Sequence, residues 1–111
     1  MGAVLMEKWK CIGKEYYDTI AGVPIYFCRK IIYRGMDVTK YIKGMYRSEK
    51  NEIWITEYAD GDTIAHEVAH AILKKQHPEL YELAKKDVEA KIVIEKMVRN
   101  IQEEVKEEYL L

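Results

Sequence analysis

Hydrophobic and polar positions follow different periods in the two halves of the chain. In the first half, 8–14 and 23–33 are rich in β-branched and aromatic side chains and end at turn residues, as is typical of strands. The clearest strand is predicted at 52–58, and 37–46 fits either a short helix or a strand. We therefore expect a small, mostly antiparallel sheet of about three to four strands.

The second half has the period of amphipathic helices. From Thr63 onward, apolar residues recur every three or four positions, before a helix-blocking Pro78. The stretch Asp60-Gly61-Asp62-Thr63 at the start has two acids and a threonine suited to N-capping. A second helical pattern begins at Pro78 or the next residue and continues towards the C-terminus, with a break predicted near 85–86. Strands followed by helices predict an α+β fold, in which the sheet packs against both helical segments.

The C-terminal segment, 94–111, carries a long apolar stripe. Apolar residues recur every three or four positions from Ile94 to Tyr109, with charged and amide side chains between them. We expect one domain over 1–111 in which this long C-terminal helix needs an apolar partner surface. That surface can belong to its own domain, if the helix packs on the sheet or covers a cleft and keeps the protein latent. It can also belong to a second subunit in a homo-oligomer.

One stretch of the first predicted helix carries candidate chemistry. His66-Glu67-Val68-Ala69-His70 has the pattern H-E-x-x-H, which places both imidazoles on one helix face, about 6 Å apart along the axis. Two such nitrogens can bind one zinc ion, and the adjacent Glu67 can act as a general base. We therefore predict one Zn²⁺ per chain, bound by His66 and His70. The alternative is an ordinary amphipathic helix with these residues on its polar face.

A catalytic zinc usually has a third protein ligand, and the candidates follow the predicted turn at 76–77. In one known zinc motif, a third histidine follows the second by six residues, with a glycine between them. His77 comes one residue later than this after His70, and no glycine lies between them, so we do not favour it as a ligand. If the next helix returns antiparallel, Glu82, Asp87 and Glu89 come opposite the two histidines. We favour Glu89 for its reach, with Asp87 as the alternative.

The H-E-x-x-H stretch and the acid in Asp87-Val88-Glu89-Ala90 together resemble the gluzincin tribe of zinc metallopeptidases. In that tribe, a "glutamate helix" after the H-E-x-x-H helix supplies the third ligand. The short chain resembles the minigluzincins, minimal archaeal proteins understood as latent proenzymes. Related membrane families carry E-x-x-A-D in this helix, and its best local alignment, Asp87-Val88-Glu89-Ala90-Lys91, places Asp87 at the ligand position.

The resemblance implies hydrolysis of a peptide or protein substrate, with His66, His70 and Glu89 as zinc ligands and Glu67 as general base and acid. It also implies that the strand Ile53-Trp54-Ile55 pairs with the substrate backbone. On propensity alone, this strand is equally well a buried central strand. The competing function is a non-catalytic zinc-stabilised binding or regulatory domain, in which Glu67 has no role as a base.

The amino-acid composition limits the classes of binding partner and the cellular compartment that we expect. A net charge of −1 gives no basic field for nucleic acid, and the lack of a long apolar run predicts no membrane insertion. The 1–6 stretch is too short for a signal peptide, so we expect a cytoplasmic protein. Abundant Lys and Glu with few amides suggest a thermophilic source. Cys11 and Cys28 fit either two thiols or one disulfide.

Overall fold

A computed structural model describes residues 8–110 of the chain, so the predictions about 1–6 and about the last residue lie outside it. The predicted α+β class is confirmed: two β-sheets pack with three α-helices, the last of which continues to residue 110. Between residues 8 and 110, no helix has both the length and the apolar character needed to cross a membrane.

Within residues 8–110, seven strands form two sheets. The first sheet is antiparallel and has the order β1 (Trp9–Ile12), β4 (Lys30–Tyr33), β5 (Met36–Asp37). The second has the order β2 (Glu15–Ile20), β3 (Val23–Phe27), β7 (Glu52–Ile55), β6 (Gly44–Arg47), and only its β3–β7 pair is parallel. A 3₁₀ turn at Thr39–Tyr41 precedes β6. The region 37–46, for which the sequence allowed either a short helix or a strand, therefore contains both. β2 was not predicted from the sequence, and its residues are mostly exposed.

The three helices begin and end at residues with clear local causes. The Asp60 carboxylate accepts the Thr63 N–H at the start of α1 (Gly61–Gln76). Pro78 then begins the short α2 (Pro78–Ala84), and a non-helical step after it confirms the predicted break. The carboxylate of Asp87 caps α3 (Val88–Val105), which continues through a π-helical turn at Lys106–Leu110. The predicted glutamate helix and the predicted long C-terminal helix are therefore one element.

Helix α1 lies between the four-stranded sheet and α3. Its sheet side packs into a core cluster that includes Ile64, Ala65, Val68, Ala71, Ile25, Ile53 and Ile55. Its other side packs into a second cluster that includes Ala69, Leu73, Ala90, Ile94 and Val98. Val105, near the C-terminal end of α3, is also buried in the first cluster. The apolar stripe of the tail thus finds a partner surface within its own chain.

A disulfide joins Cys11 of β1 to Cys28, which directly follows β3. This bond settles the choice that the sequence left open and connects the first sheet to the second. Cys28 is fully buried in a third cluster with Ile31 and Trp54.

The strand predicted to bind substrate, Ile53-Trp54-Ile55, lies in the centre of its sheet. It pairs with β3 on one side and with β6 on the other, and every residue of β7 is buried. Because both main-chain edges of β7 are occupied, the predicted pairing of these residues with a substrate has to be corrected. The alternative, a buried central strand, describes what is found.

Candidate metal centre

Helix α1 presents His66 and His70 on one face, next to Glu95 of α3. The two imidazole centroids are 4.9 Å apart. Nε2 of His70 lies 3.4 Å from Oε1 of Glu95, and Nε2 of His66 lies 3.9 Å from Oε2. One potential ligand atom from each of the three side chains lies within 4.8 Å of the other two.

These three side chains fit the requirements of a zinc ion. Tetrahedral bonds of about 2.0–2.1 Å place neighbouring ligand atoms about 3.3 Å apart. The nitrogen–oxygen distances here are 3.4 and 3.9 Å, each to a different oxygen of Glu95, so the three side chains need only small adjustments to hold one ion. Two imidazoles and one carboxylate form a ligand set known from catalytic zinc sites. The Glu95 side chain is 50% exposed, so water can reach the centre from that side.

The third side chain differs from the one that the sequence predicted. Glu89 lies in the first turn of α3, six residues before Glu95, and is therefore about 9 Å away along the helix axis. The Asp87 carboxylate is used as the N-cap of this helix, and Glu82 is paired with Lys85 at 2.8 Å. The structure thus replaces Glu89, and its alternatives Asp87 and Glu82, with Glu95.

Glu95 takes the place of Glu89 because non-helical residues separate α2 from α3. A helix that returned directly from the turn at 76–77 would bring Glu89 opposite the histidines, whereas the long returning helix begins only at Val88. Ala90, Ile94 and Val98 face α1, and Glu95 follows Ile94 at the edge of that face. From Glu95 the sequence reads Glu95-Lys96-Met97-Val98-Arg99, which departs from E-x-x-A-D at its last two positions, so the motif gave no signal here.

Glu67 lies on the side of α1 that contacts β6. The main-chain N–H of Tyr46 in β6 favours the charged form of the Glu67 carboxylate. Gly44 permits this approach, because a Cβ at that position would lie 2.9 Å from Cγ2 of Thr63 and 3.5 Å from Cγ of Glu67. Burial raises the pKa of the Glu67 carboxyl, and the charge of Glu95 acts in the same direction, whereas His66 and the Tyr46 N–H oppose the rise.

Each imidazole also has a hydrogen-bond partner on the side away from Glu95. Nδ1 of His66 lies 3.0 Å from Oε1 of Gln102, and Nδ1 of His70 lies 2.9 Å from the Tyr81 hydroxyl. Burial lowers the pKa of His70, and the neighbouring His66 lowers it further. The neutral imidazole, which is the metal-binding form, is therefore favoured at His70. Sequence reasoning missed both partners, because neither has a fixed spacing from the histidines.

The structure brings together His66, Glu67 and His70 as predicted, and adds Glu95, Gln102 and Tyr81. His77 lies at the end of α1 with its Nδ1 3.3 Å from Glu79, at an exposed position. Comparisons of this chain with protein-family models, with curated proteins and with solved structures give no match. The resemblance to the gluzincins therefore stays a prediction that depends on the motif and the side chains assembled around it.

Proposed function

We propose that this chain is a zinc-dependent metallopeptidase, with His66, His70 and Glu95 as the zinc ligands and Glu67 as the general base. The observation that carries the proposal is the convergence of two Nε2 atoms and one carboxylate beside a second, half-buried carboxylate. A zinc ion bound there would supply Lewis acidity, which polarises water and the scissile carbonyl.

The position of Glu67 suits proton transfer. Its carboxylate follows the first histidine on α1 and is oriented by the Tyr46 N–H. A raised pKa brings this carboxyl closer to neutral pH, where a group can both accept a proton from the attacking water and donate it to the leaving amine. Such a base contributes about 10²- to 10⁴-fold to the rate of a hydrolytic reaction.

We propose β6 as the strand that pairs with an extended substrate, in place of β7. β6 is the outermost strand of its sheet and contacts only β7 within it. The Lys43 carbonyl accepts the Thr56 N–H, and the alternation of an antiparallel ladder then directs the main-chain groups of Gly44 and Tyr46 to the outer edge. The Tyr46 N–H acts on Glu67, so we propose that the substrate pairs with the Gly44 main chain and the Tyr46 carbonyl. This edge borders Glu67, so a peptide added to it would run past the proposed base.

The Glu67→Gln variant tests the proposal. We expect one zinc per chain in both the wild type and the variant by elemental analysis, and a loss of at least about 10²-fold in cleavage of an unstructured protein substrate by the variant. Glu104→Gln, an exposed position on α3, is the matched control and should cleave normally.

Two results would contradict the proposal. Undiminished cleavage by Glu67→Gln would remove this residue as the base. A wild type that binds zinc and is stabilised by it, yet cleaves neither unstructured proteins nor a degenerate peptide library, would favour the non-catalytic zinc domain instead.

A further inference from the structure

We infer that the C-terminal part of α3 belongs to the metal centre, because Gln102 holds His66 in the tautomer that can bind a metal ion. The inference rests on the proposed function, since it assigns a positioning role around the same site. Gln102 lies seven residues after Glu95, so one helix supplies both a proposed ligand and a group that orients another ligand.

The orientation of the Gln102 amide is fixed by its second contact. Its Nε2 donates to the main-chain carbonyl of Asp62 at 3.4 Å, which leaves Oε1 facing Nδ1 of His66 at 3.0 Å. An amide oxygen only accepts hydrogen bonds, so the His66 proton must be on Nδ1. The lone pair is then on Nε2, the atom that faces Glu95.

Tyr81 of α2 imposes the same tautomer on His70. The Tyr81 hydroxyl donates its single proton to the His70 main-chain carbonyl at 3.1 Å, so it can only accept from the ring at 2.9 Å. Nδ1 of His70 is therefore protonated, and its Nε2 lone pair also faces Glu95. Two hydrogen bonds from different helices thus prepare both nitrogens for the same ion before it binds.

The contacts of the tail explain why Gln102 is held in place. Lys106 of the final turn pairs with Asp62 of α1 at 2.7 Å, and Val105 is only 2% exposed in the main core. The part of the helix just after Gln102 is thereby attached to the first turn of α1 and to the main core. It leaves Glu95 half exposed, so in this arrangement the tail supports the centre and does not cover it.

The test compares zinc affinity in full-length point variants, by competition with a chromophoric chelator. Gln102→Met keeps the length of the side chain but removes the acceptor, and we expect roughly 10- to 100-fold weaker binding. Gln102→Glu restores an acceptor and should bind zinc at least as tightly as the wild type. Tyr81→Phe should weaken binding by a similar factor. Asn100→Met, an exposed position on the same helix, is the control and should bind normally.

A second readout needs no metal. In protein labelled with ¹⁵N-histidine, nitrogen chemical shifts distinguish the two neutral tautomers, and the chain has only 3 histidines to assign. We expect His66 to be protonated on Nδ1 in the wild type and in Gln102→Glu, and to become mixed in Gln102→Met. The thermal unfolding of the metal-free Gln102→Met protein should match that of Asn100→Met, which separates positioning from a general structural effect.

Unchanged zinc affinity together with an unchanged His66 tautomer in Gln102→Met would overturn the inference. Failure of the wild type to bind zinc would instead refute the proposed function, and the tautomer measurement would still test Gln102. If the tail kept the protein latent by covering the site, Gln102→Met would loosen it and raise peptidase activity without weakening zinc binding. That result would also contradict the inference.

Discussion

Removing the Glu95 carboxylate should abolish most of the zinc affinity, whereas removing that of Glu89 should not. Oxygen atoms of Glu95 lie 3.4 and 3.9 Å from the two imidazole nitrogens. Glu89 precedes Glu95 by six residues, which places it about 9 Å away along the axis and about 120° around the helix. Glu95→Ala and Glu89→Ala form a matched pair, because each removes one exposed carboxylate from the same helix.

The size of the effect follows from the number of ligands. Zinc bound by four protein ligands has an apparent binding free energy of about 10–16 kcal/mol, or about 2.5–4 kcal/mol per ligand. Loss of one ligand should therefore weaken binding by about 10²- to 10³-fold. Alanine favours the helix, so neither variant should unfold α3.

Chelator competition at constant pH and salt measures both variants against the wild type. We expect the large loss only in Glu95→Ala. Loss of zinc in Glu89→Ala with normal binding in Glu95→Ala would refute the assignment. An equal small loss in both variants would show that only the general negative charge of α3 matters.

Three further predictions concern the fold around the site. Gly44→Ala should lower the free energy of unfolding by about 1–3 kcal/mol in denaturant titrations, because the new Cβ would lie 2.9 Å from a side chain of α1. Gly61→Ala, where a Cβ meets nothing within 4 Å, is its control. In the metal-free protein, NMR should show that the pKa of His70 lies below the usual value of about 6.5, and a midpoint above 6.5 would contradict this. Protonation of His70 should therefore lower the stability of the fold as the pH falls from about 6.5 through the folded-state pKa. Reducing the disulfide between Cys11 and Cys28, 17 residues apart, should lower the free energy of unfolding by about 3 kcal/mol, and free thiols in the untreated protein would refute the bond.

The features that the sequence predicted correctly are those encoded over short distances. The H-E-x-x-H spacing places His66 and His70 on one helix face whatever surrounds that helix. The start of α1 within the capping stretch 60–63 and the break near 85–86 follow from capping and helix-ending residues nearby. The α+β class follows from the change of period between the two halves.

The features that the sequence did not predict depend on how elements are placed relative to one another. Glu95 lies beside the histidines because of the register of α3 against α1. That register depends on the lengths of α2 and of the non-helical segment that follows it. β7 is central because β6 returns beside it, and nothing within Ile53-Trp54-Ile55 indicates that neighbour. Gln102 and Tyr81 reach the histidines from 36 and 11 residues away, without any local pattern.

The central claim is that one zinc ion binds between α1 and α3 through His66, His70 and Glu95. A crystal structure of the zinc-loaded protein, with anomalous differences measured on both sides of the zinc absorption edge, tests it most directly. We expect one anomalous peak per chain, about 2.0–2.2 Å from Nε2 of each histidine and from a carboxylate oxygen of Glu95. A peak bound by Glu89 or Asp87, or no peak at the two histidines in zinc-saturated crystals, would contradict it.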